Sequence, residues 1–89
     1  MSEADKAWRV TVGDAEYEVE VEHSTMTGKV VVTVDGHQVG EGRLLFSGQK
    51  IPFVLGTRPA VVAVSFAYAG FGARSKLHVD GRYVEPLRR

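Results

Sequence analysis

The feature that most constrains this sequence is an internal repeat with a shift of 45 positions. The segment VDGHQV at residues 34–39 returns as VDGRYV at residues 79–84, which divides a chain of 89 residues almost in half. The same shift without a gap pairs apolar residues upstream: Trp8 with Phe53, Val10 with Leu55, Ala15 with Ala60, Tyr17 with Val62, Val19 with Val64 and Val21 with Phe66. A duplicated supersecondary unit is therefore the first prediction for the architecture.

The clearest local pattern is the alternation of glutamates with apolar residues between residues 16 and 22. Tyr17, Val19 and Val21 occupy every second position, and a period of two is typical of a β-strand with one wet face. A helix would scatter the glutamates around its axis. Residues 8–12 alternate in the same way, and Gly13-Asp14 lies between the two runs. We expect a β-hairpin here.

The rest of the chain also predicts strands joined by short turns. Residues 30–34 are β-branched at every position, which favours a pleated conformation. Asp35-Gly36 and Asp80-Gly81 suit type I′ hairpin turns, because both central residues of that turn need positive φ. Further strands are predicted at residues 43–46, 51–55, 74–80 and 82–84.

Three details of these strands follow from glycine and proline. Gly40 and Gly42 indicate a β-bulge. Pro52 lacks an N–H, so its strand should begin at Pro52 or lie at the edge of a sheet. Residues 60–68 fit a strand better than a buried helix because they are short and valine-rich, with Pro59 and Gly70 as their bounds.

Together these elements predict an all-β fold of about eight strands. We expect an antiparallel β-sandwich, or a flattened barrel, built from two duplicated four-strand halves. Residues 8–89 would form the single domain, with pseudo-repeats at 8–45 and 53–89, and residues 1–7 a flexible tail without the apolar core of a signal peptide.

Composition narrows the functional classes. The chain has no cysteine, which favours a reducing compartment and a cytoplasmic location. The longest apolar stretch, residues 60–73, has 14 residues, fewer than a membrane-spanning helix needs. Eleven Lys and Arg balance eleven Asp and Glu, so the footprint of a nucleic-acid-binding domain is missing. We expect no membrane and no nucleic-acid partner.

The charges are nevertheless unevenly distributed along the chain. Residues 1–45 carry nine acidic and four basic residues, whereas residues 46–89 carry two acidic and seven basic residues. The two halves should therefore attract each other.

The sequence shows no pattern of catalytic or metal-binding residues. The three histidines, His23, His37 and His78, have no spacing that predicts a shared metal site or an acid–base pair. A nucleophile beside His23 would have to be Ser24, Thr25 or Thr27, but a polar turn ending at Gly28 explains these residues better. We expect no enzymatic activity, no metal and no cofactor.

One predicted strand has an unusual outer face. If Val62, Val64 and Phe66 face the core, the opposite face carries small uncharged residues where its repeat partner carries glutamates: Val61, Ala63, Ser65 and Ala67. Such a patch needs a cover. The cover is either the C-terminal tail or a nearby loop, or a second chain, in which case acidic and basic halves would meet in a symmetric homodimer.

Three motifs in order resemble the Fas apoptotic inhibitory molecule family. They are a tryptophan strand at residues 8–10, the turn EVEHSTMTGK at residues 20–29 and the hairpin VVTVDG at residues 31–36. Residues 43–48 and 76–84 also look like later elements of that family. The resemblance implies an all-β sandwich without enzymatic activity. It also implies, for the animal members, two tandem domains in a cytoplasmic protein that opposes death-receptor signalling.

The function predicted from the sequence is a protein-interaction module with an unidentified protein partner, self-association being one form of it. Its candidate surfaces are the Val61, Ala63, Ser65 and Ala67 face and the turn that contains His23, Thr25, Thr27 and Lys29. The alternative is a small-ligand or carbohydrate-binding module, with a cleft between the sheets or an aromatic platform of Trp8, Phe71 and Tyr83. A hydrolase that uses His23 is the weakest hypothesis.

Overall fold

A computed structural model describes residues 6–24, 27–43, 48–66 and 73–87 of the chain. These residues form eight antiparallel strands, which we number in chain order: β1 (Lys6–Val12), β2 (Ala15–His23), β3 (Lys29–Val34), β4 (His37–Arg43), β5 (Gln49–Leu55), β6 (Arg58–Phe66), β7 (Ala73–Val79) and β8 (Arg82–Val84). Within these ranges, no helix has the length and apolar content required to cross a bilayer.

The strands form two four-stranded sheets, each in simple up-and-down order. The first sheet has the order β1-β2-β3-β4 and the second has the order β5-β6-β7-β8. Each sheet therefore consists of one half of the chain, and the sheets are not joined by a ladder into a closed barrel. The predicted β-sandwich of two duplicated halves is confirmed.

The core lies between the sheets and is built from alternate residues of each strand, as expected for strands with one buried face. Trp8, Leu55 and Leu77 are its largest fully buried side chains. The cluster as a whole comprises Trp8, Val10, Val19, Val21, Val30, Val32, Ile51, Phe53, Leu55, Ala60, Val62, Val64 and Leu77.

The two Asp-Gly turns have the conformation that the sequence predicts. Asp35 has φ 51° and Gly36 has φ 85°, and the corresponding angles are 54° and 80° at Asp80 and Gly81. Positive φ at both central positions is the signature of a type I′ turn. Each aspartate also donates its backbone N–H to a carbonyl on a neighbouring strand, Asp35 to Glu18 and Asp80 to Pro59, both at 2.8 Å.

The pairing of residues between neighbouring strands shows that the shift relating the two repeats is not the same for every strand. Trp8 pairs with Val19, and Phe53 pairs with Ala60. Val19 and Ala60 in turn pair with the equivalent residues Val34 and Val79. Strands β1 and β3 thus match β5 and β7 at the predicted shift of 45, and Trp8 is indeed equivalent to Phe53. The start of β4 matches β8 at the same shift, up to Gln38 and Tyr83.

The repeat alignment predicted between β2 and β6 is wrong by four residues. Val19 corresponds to Ala60 and Val21 to Val62, a shift of 41 in place of the ungapped 45. The reason is that the β5–β6 hairpin turns at Gly56, only one residue after Leu55, whereas the β1–β2 hairpin continues past the equivalent Val10 to Gly13. Because four is an even number, the inner and outer faces of the strand stay as predicted.

Other details of the strands confirm or refine the expectations. Pro52 lies in β5, an edge strand. A register shift between Val32 and Thr33 leaves Val39 as the extra residue of a bulge next to Gly40. Strand β6 begins at Arg58 and so includes Pro59, which was predicted to lie just before the strand. Residues 67 and 68 at its predicted end, and residues 44–46 of another predicted strand, lie outside the described ranges.

The two ends of the sandwich are closed in different ways. A Cβ atom at Gly40 of β4 would lie 2.7 Å from Cγ2 of Ile51 in β5, so these strands approach closely. On the other side, Leu87 donates its backbone N–H to the carbonyl of Ala7 at 2.9 Å. Strand β1 includes Lys6 and Ala7, which were assigned to the tail, because they pair with Val21 and Glu20.

Candidate interaction surface

The outer face of the second sheet combines apolar residues with cations. Its residues alternate with the buried residues along strands β5 to β8, because successive side chains of a strand point to opposite faces of the sheet. We call it the basic face and define it by Lys50, Pro52, Val54, Val61, Ala63, Ser65, Arg74, Lys76, His78 and Tyr83.

Three of the four residues of the predicted partner face are found on this surface. Val61 and Ala63 are half-buried and Ser65 is exposed, and all three lie on the outer side of β6. Ala67, the fourth, lies outside the described residues. The C-terminal segment does not explain the patch, since Leu87 is hydrogen-bonded at β1 in the other sheet.

The centre of the basic face is a row of two lysines separated by an alanine. Lys50 pairs with Ala63, which pairs with Lys76, and directly opposite residues have Cβ atoms about 5 Å apart. Arg74 lies in the next row, opposite Ser65. Because Ala63 and Ser65 are small, they leave the cations on either side of β6 accessible from solvent.

These cations have no acidic partner among the described residues. Within the described ranges, no carboxylate forms a salt bridge with Lys50, Arg74 or Lys76. The acidic side chain at the margin of this face, Asp80, instead accepts a hydrogen bond from Arg58 at 3.3 Å. The basic bias of this half was evident from the sequence, whereas the position of these lysines beside β6 was not predicted.

Apolar surface accompanies the charge. Val54 is 66% exposed and Tyr83 is 53% exposed. Tyr83 packs edge-on against His78, with ring centroids 5.8 Å apart. A depression of about 270 Å³ lies beside the lysine row, lined by Gly48, Gln49, Lys50, Ala63, Val64 and Ser65.

The outer face of the first sheet has the opposite charge. We call it the acidic face and define it by Arg9, Glu16, Glu18, Glu20, Glu22, Lys29, Val31, Thr33, Glu41 and Arg43. Two of its carboxylates form exposed salt bridges, Arg9 to Glu16 at 3.8 Å and Lys29 to Glu41 at 3.2 Å.

The predicted electrostatic attraction between the two halves is not what holds them together in the structure. The halves are the two sheets, and their charges lie on opposite outer sides of the sandwich with the apolar core between them. What holds the sheets together is the apolar core.

The second predicted surface, the turn after His23, is explained by its own backbone. Gly28 has φ 75°, a conformation that glycine adopts without steric cost. Gly28 donates its N–H to the carbonyl of Ser24 at 2.8 Å, and Ser24 donates to Lys29 at 2.9 Å. The Thr27 hydroxyl accepts the N–H of Lys29 at 3.2 Å, as expected for a turn residue. Thr25 lies outside the described residues.

The histidines lie on different elements: His23 ends β2, His37 begins β4 and His78 is on the outer side of β7. Among the described residues, no group of three or more His, Asp or Glu could hold a metal ion. The aromatic platform predicted from Trp8, Phe71 and Tyr83 is wrong for Trp8, because Trp8 is fully buried in the core. Residues 70–72, which include Phe71, lie outside the described ranges.

These observations define a class of protein: a small β-sandwich made of two copies of a four-stranded unit, with outer faces of opposite charge. The family model described as Fas apoptotic inhibitory molecule (FAIM1) matches residues 5–88. The chain belongs to the Fas apoptotic inhibitory molecule family, as its motifs at residues 8–10, 20–29 and 31–36 indicated.

Curated relatives agree with this assignment. Fas apoptotic inhibitory molecule 1 of Mus musculus is 30% identical over 84 residues, which cover 92% of this chain and 47% of the relative. The proteins of the same name from Bos taurus and Rattus norvegicus are also 30% identical over 84 residues, which cover 42% of each of these relatives. The chain thus spans less than half the length of these relatives.

Proposed function

We propose that this chain is a non-enzymatic protein-interaction module that binds an acidic protein surface through its basic face. The observation that carries this proposal is the set of unneutralised cations, Lys50, Arg74 and Lys76, around half-buried apolar residues. Protein–protein interfaces combine apolar residues with polar and charged ones, and this face offers apolar residues between its cations.

Charge and apolar surface play different roles in such an interface. Complementary charge raises the rate of encounter and selects the partner. Contacts with Val61, Ala63, Val54 and Tyr83 would remove apolar area from water, which is worth about 25 cal/mol per Å² before the costs of association. An acidic partner with a few apolar side chains is the surface that fits.

A small-ligand site is the weaker candidate. The depression beside Lys50 measures about 270 Å³, which is below the range of about 300–1,000 Å³ typical of ligand pockets. A second depression, of about 340 Å³, is lined by Thr11, Val12, Gly13, Arg58, Val79, Asp80 and Arg82. It is an open surface groove in which Arg58 already pairs with Asp80.

Family membership supports the same class of function. The curated relatives carry the name Fas apoptotic inhibitory molecule 1. We carry over to this chain only the expectation of a protein partner, met in the cytoplasm, with self-association as one form of it.

The test is affinity capture with the tagged chain and a pair of matched charge reversals. Lys50→Glu/Lys76→Glu removes the centre of the basic face, and Arg9→Glu/Arg43→Glu makes the same change of net charge on the other sheet. We expect the first variant to lose captured protein by about tenfold or more, and the second to retain it, because the reversal places carboxylates opposite an acidic partner and like charges brought together cost several kcal/mol, where about 1.4 kcal/mol is tenfold. Equal capture by both variants would refute the proposal.

A further inference from the structure

We infer that the acidic surface that fits the basic face is the acidic face of a second copy of this chain, so that copies stack head to tail. This inference rests on the proposed function, since it names the partner of the same surface. Its basis is the juxtaposition of opposite charges on the two outer sides of one sandwich.

The unneutralised charges on the two faces complement each other. Glu18 and Glu20 lie on β2, a central strand, and no cation among the described residues forms a salt bridge with either carboxylate. Arg74 and Lys76 lie on β7, which is also a central strand. Successive outer side chains are about 7 Å apart along any strand, so a row of carboxylates and a row of cations have the same spacing.

Symmetry decides how the copies must be arranged. A two-fold dimer through the basic face would place Lys50, Arg74 and Lys76 opposite the same three residues of the second copy. Like charges opposite one another are destabilising. The predicted symmetric homodimer therefore does not bring acid to base through the β6 face. Acid meets base there only in a heterologous contact, which leaves a free face at each end and continues into a stack.

The overall charge does not oppose this contact. Formal charges of the whole chain sum to +0, so copies do not repel one another as a whole. Exposed ion pairs contribute about 0–1 kcal/mol each, and the apolar area at the centre of the basic face is small. The association is therefore weak, reversible and sensitive to salt.

The first test is sedimentation equilibrium of the unmodified chain. At a few hundred micromolar protein and about 20 mM salt, where the Debye length exceeds about 20 Å, the weight-average mass should rise above the monomer mass of 9.7 kDa. It should keep rising with concentration, without a plateau at the dimer mass. At about 0.5 M salt it should return to the monomer mass, because the charges are then screened.

The second test locates the contact with a matched pair of variants. Glu18→Lys/Glu20→Lys removes the acidic centre, whereas Asp14→Lys/Glu85→Lys makes the same change of net charge at exposed positions in a turn and after β8. We expect the first variant to remain monomeric in low salt and the second to associate. Backbone NMR resonances should shift with concentration on both outer faces, near Glu20 and near Lys76.

Several outcomes would overturn the inference. A monomer at every concentration in low salt excludes the second copy as the partner, and a plateau at the dimer mass, or shifts on one face only, shows a closed dimer. Equal behaviour of the two lysine-substituted variants shows that net charge, and not the acidic face, controls association. None of these outcomes removes the proposed function, which depends on loss of capture in Lys50→Glu/Lys76→Glu.

Discussion

The two sheets of this protein share their interior and differ in their exterior. Val19 and Ala60, and likewise Val32 and Leu77, occupy equivalent buried positions. On the outside, Glu20 and Glu22 of β2 correspond to the uncharged Val61 and Ala63 of β6, at the shift of 41 that the pairing defines. The core restricts the inner residues by volume and by exclusion from water, whereas the outer faces only have to be soluble. The two halves therefore share one packing arrangement in the core and present two different outer surfaces.

The turns show the same contrast on a smaller scale. The Asp35 carboxylate accepts the backbone N–H of Glu18 at 2.9 Å. In the second half the equivalent residue is Pro59, which has no N–H to donate. The Asp80 carboxylate therefore accepts a hydrogen bond from the Arg58 side chain. One turn conformation is held by a backbone donor in the first sheet and by an exposed ion pair in the second.

The largest expected effect tests whether the interiors are equivalent. Trp8→Ala and Phe53→Ala should each lower the free energy of unfolding by about 3–5 kcal/mol, because both remove a core ring. Trp8→Phe should cost much less than Trp8→Ala. It retains most of the ring and removes the buried Nε1 donor, which has no hydrogen-bond acceptor in the described part of the chain.

Urea unfolding followed by far-UV circular dichroism measures these values, since Trp8 is the chain's one tryptophan and fluorescence is lost with it. A cost below about 1 kcal/mol for Trp8→Ala would show that the two positions are not equivalent parts of one core.

The next effect tests the close approach of β4 to β5. Gly40→Ala should destabilise the protein by about 1–3 kcal/mol, as overpacking usually does, because the new Cβ would lie 2.7 Å from Cγ2 of Ile51. Gly42→Ala is the matched control. Its Cβ would lie 3.3 Å from the flexible end of the same side chain, so its cost should be smaller.

Ile51→Ala should relieve the clash, and a double-mutant cycle with Gly40→Ala measures the coupling. Equal costs for the two glycine substitutions, or no coupling with Ile51, would contradict the predicted approach of the two strands.

A smaller effect separates the two turns. Asp35→Ala should cost about 1 kcal/mol at any salt concentration, because it leaves the N–H of Glu18 without its carboxylate acceptor. Loss of the ion pair in Asp80→Ala should cost about 0.2–1 kcal/mol, and salt should reduce that cost because the Arg58 pair is exposed. Both variants also place an alanine at positive φ, which adds about 1–2 kcal/mol to each and does not depend on salt. The measurement is thermal or urea unfolding of both variants at low and high salt. The same salt dependence for both would mean that the two aspartates are held in the same way.

The smallest effect on stability belongs to the centre of the basic face. Ala63→Glu inserts a carboxylate between Lys50 and Lys76, so the unfolding free energy should change by less than about 0.5 kcal/mol, as for most surface substitutions. Binding of an acidic partner, or of a second copy, should nevertheless weaken, because the new carboxylate neutralises the lysine row. Ala63→Gln has a similar size without charge and serves as the control. Equal binding by the two variants would exclude the lysine row from the interface.

Much of the fold could be predicted from local patterns. The alternation around Tyr17 and the positive φ that Asp-Gly turns require depend only on near neighbours in the chain, so most strands, the hairpins and the inner faces were predictable. The fourth strand was placed too late in the chain, at residues 43–46, whereas β4 is His37–Arg43. The bulge was also predicted near Gly40, although its extra residue is Val39. Motifs at residues 8–10, 20–29 and 31–36 were sufficient to suggest the family.

The candidate site was only partly predictable. Val61, Ala63 and Ser65 were identified from the period of two within one strand. The lysines beside them come from β5 and β7, and the register that places Lys50 and Lys76 on either side of Ala63 is a property of paired strands. No pattern within a single strand contains that information.

The sequence by itself determined an all-β chain made of two similar halves, because alternation and turn residues act over a few bonds. Only the tertiary structure decided that each half forms its own sheet and that the β2–β6 equivalence is displaced by four residues. It also decided that acidic and basic residues lie on opposite sides of the sandwich. These properties depend on hairpin length and on which strands become neighbours, and both are settled when the apolar faces of the two sheets are buried against each other.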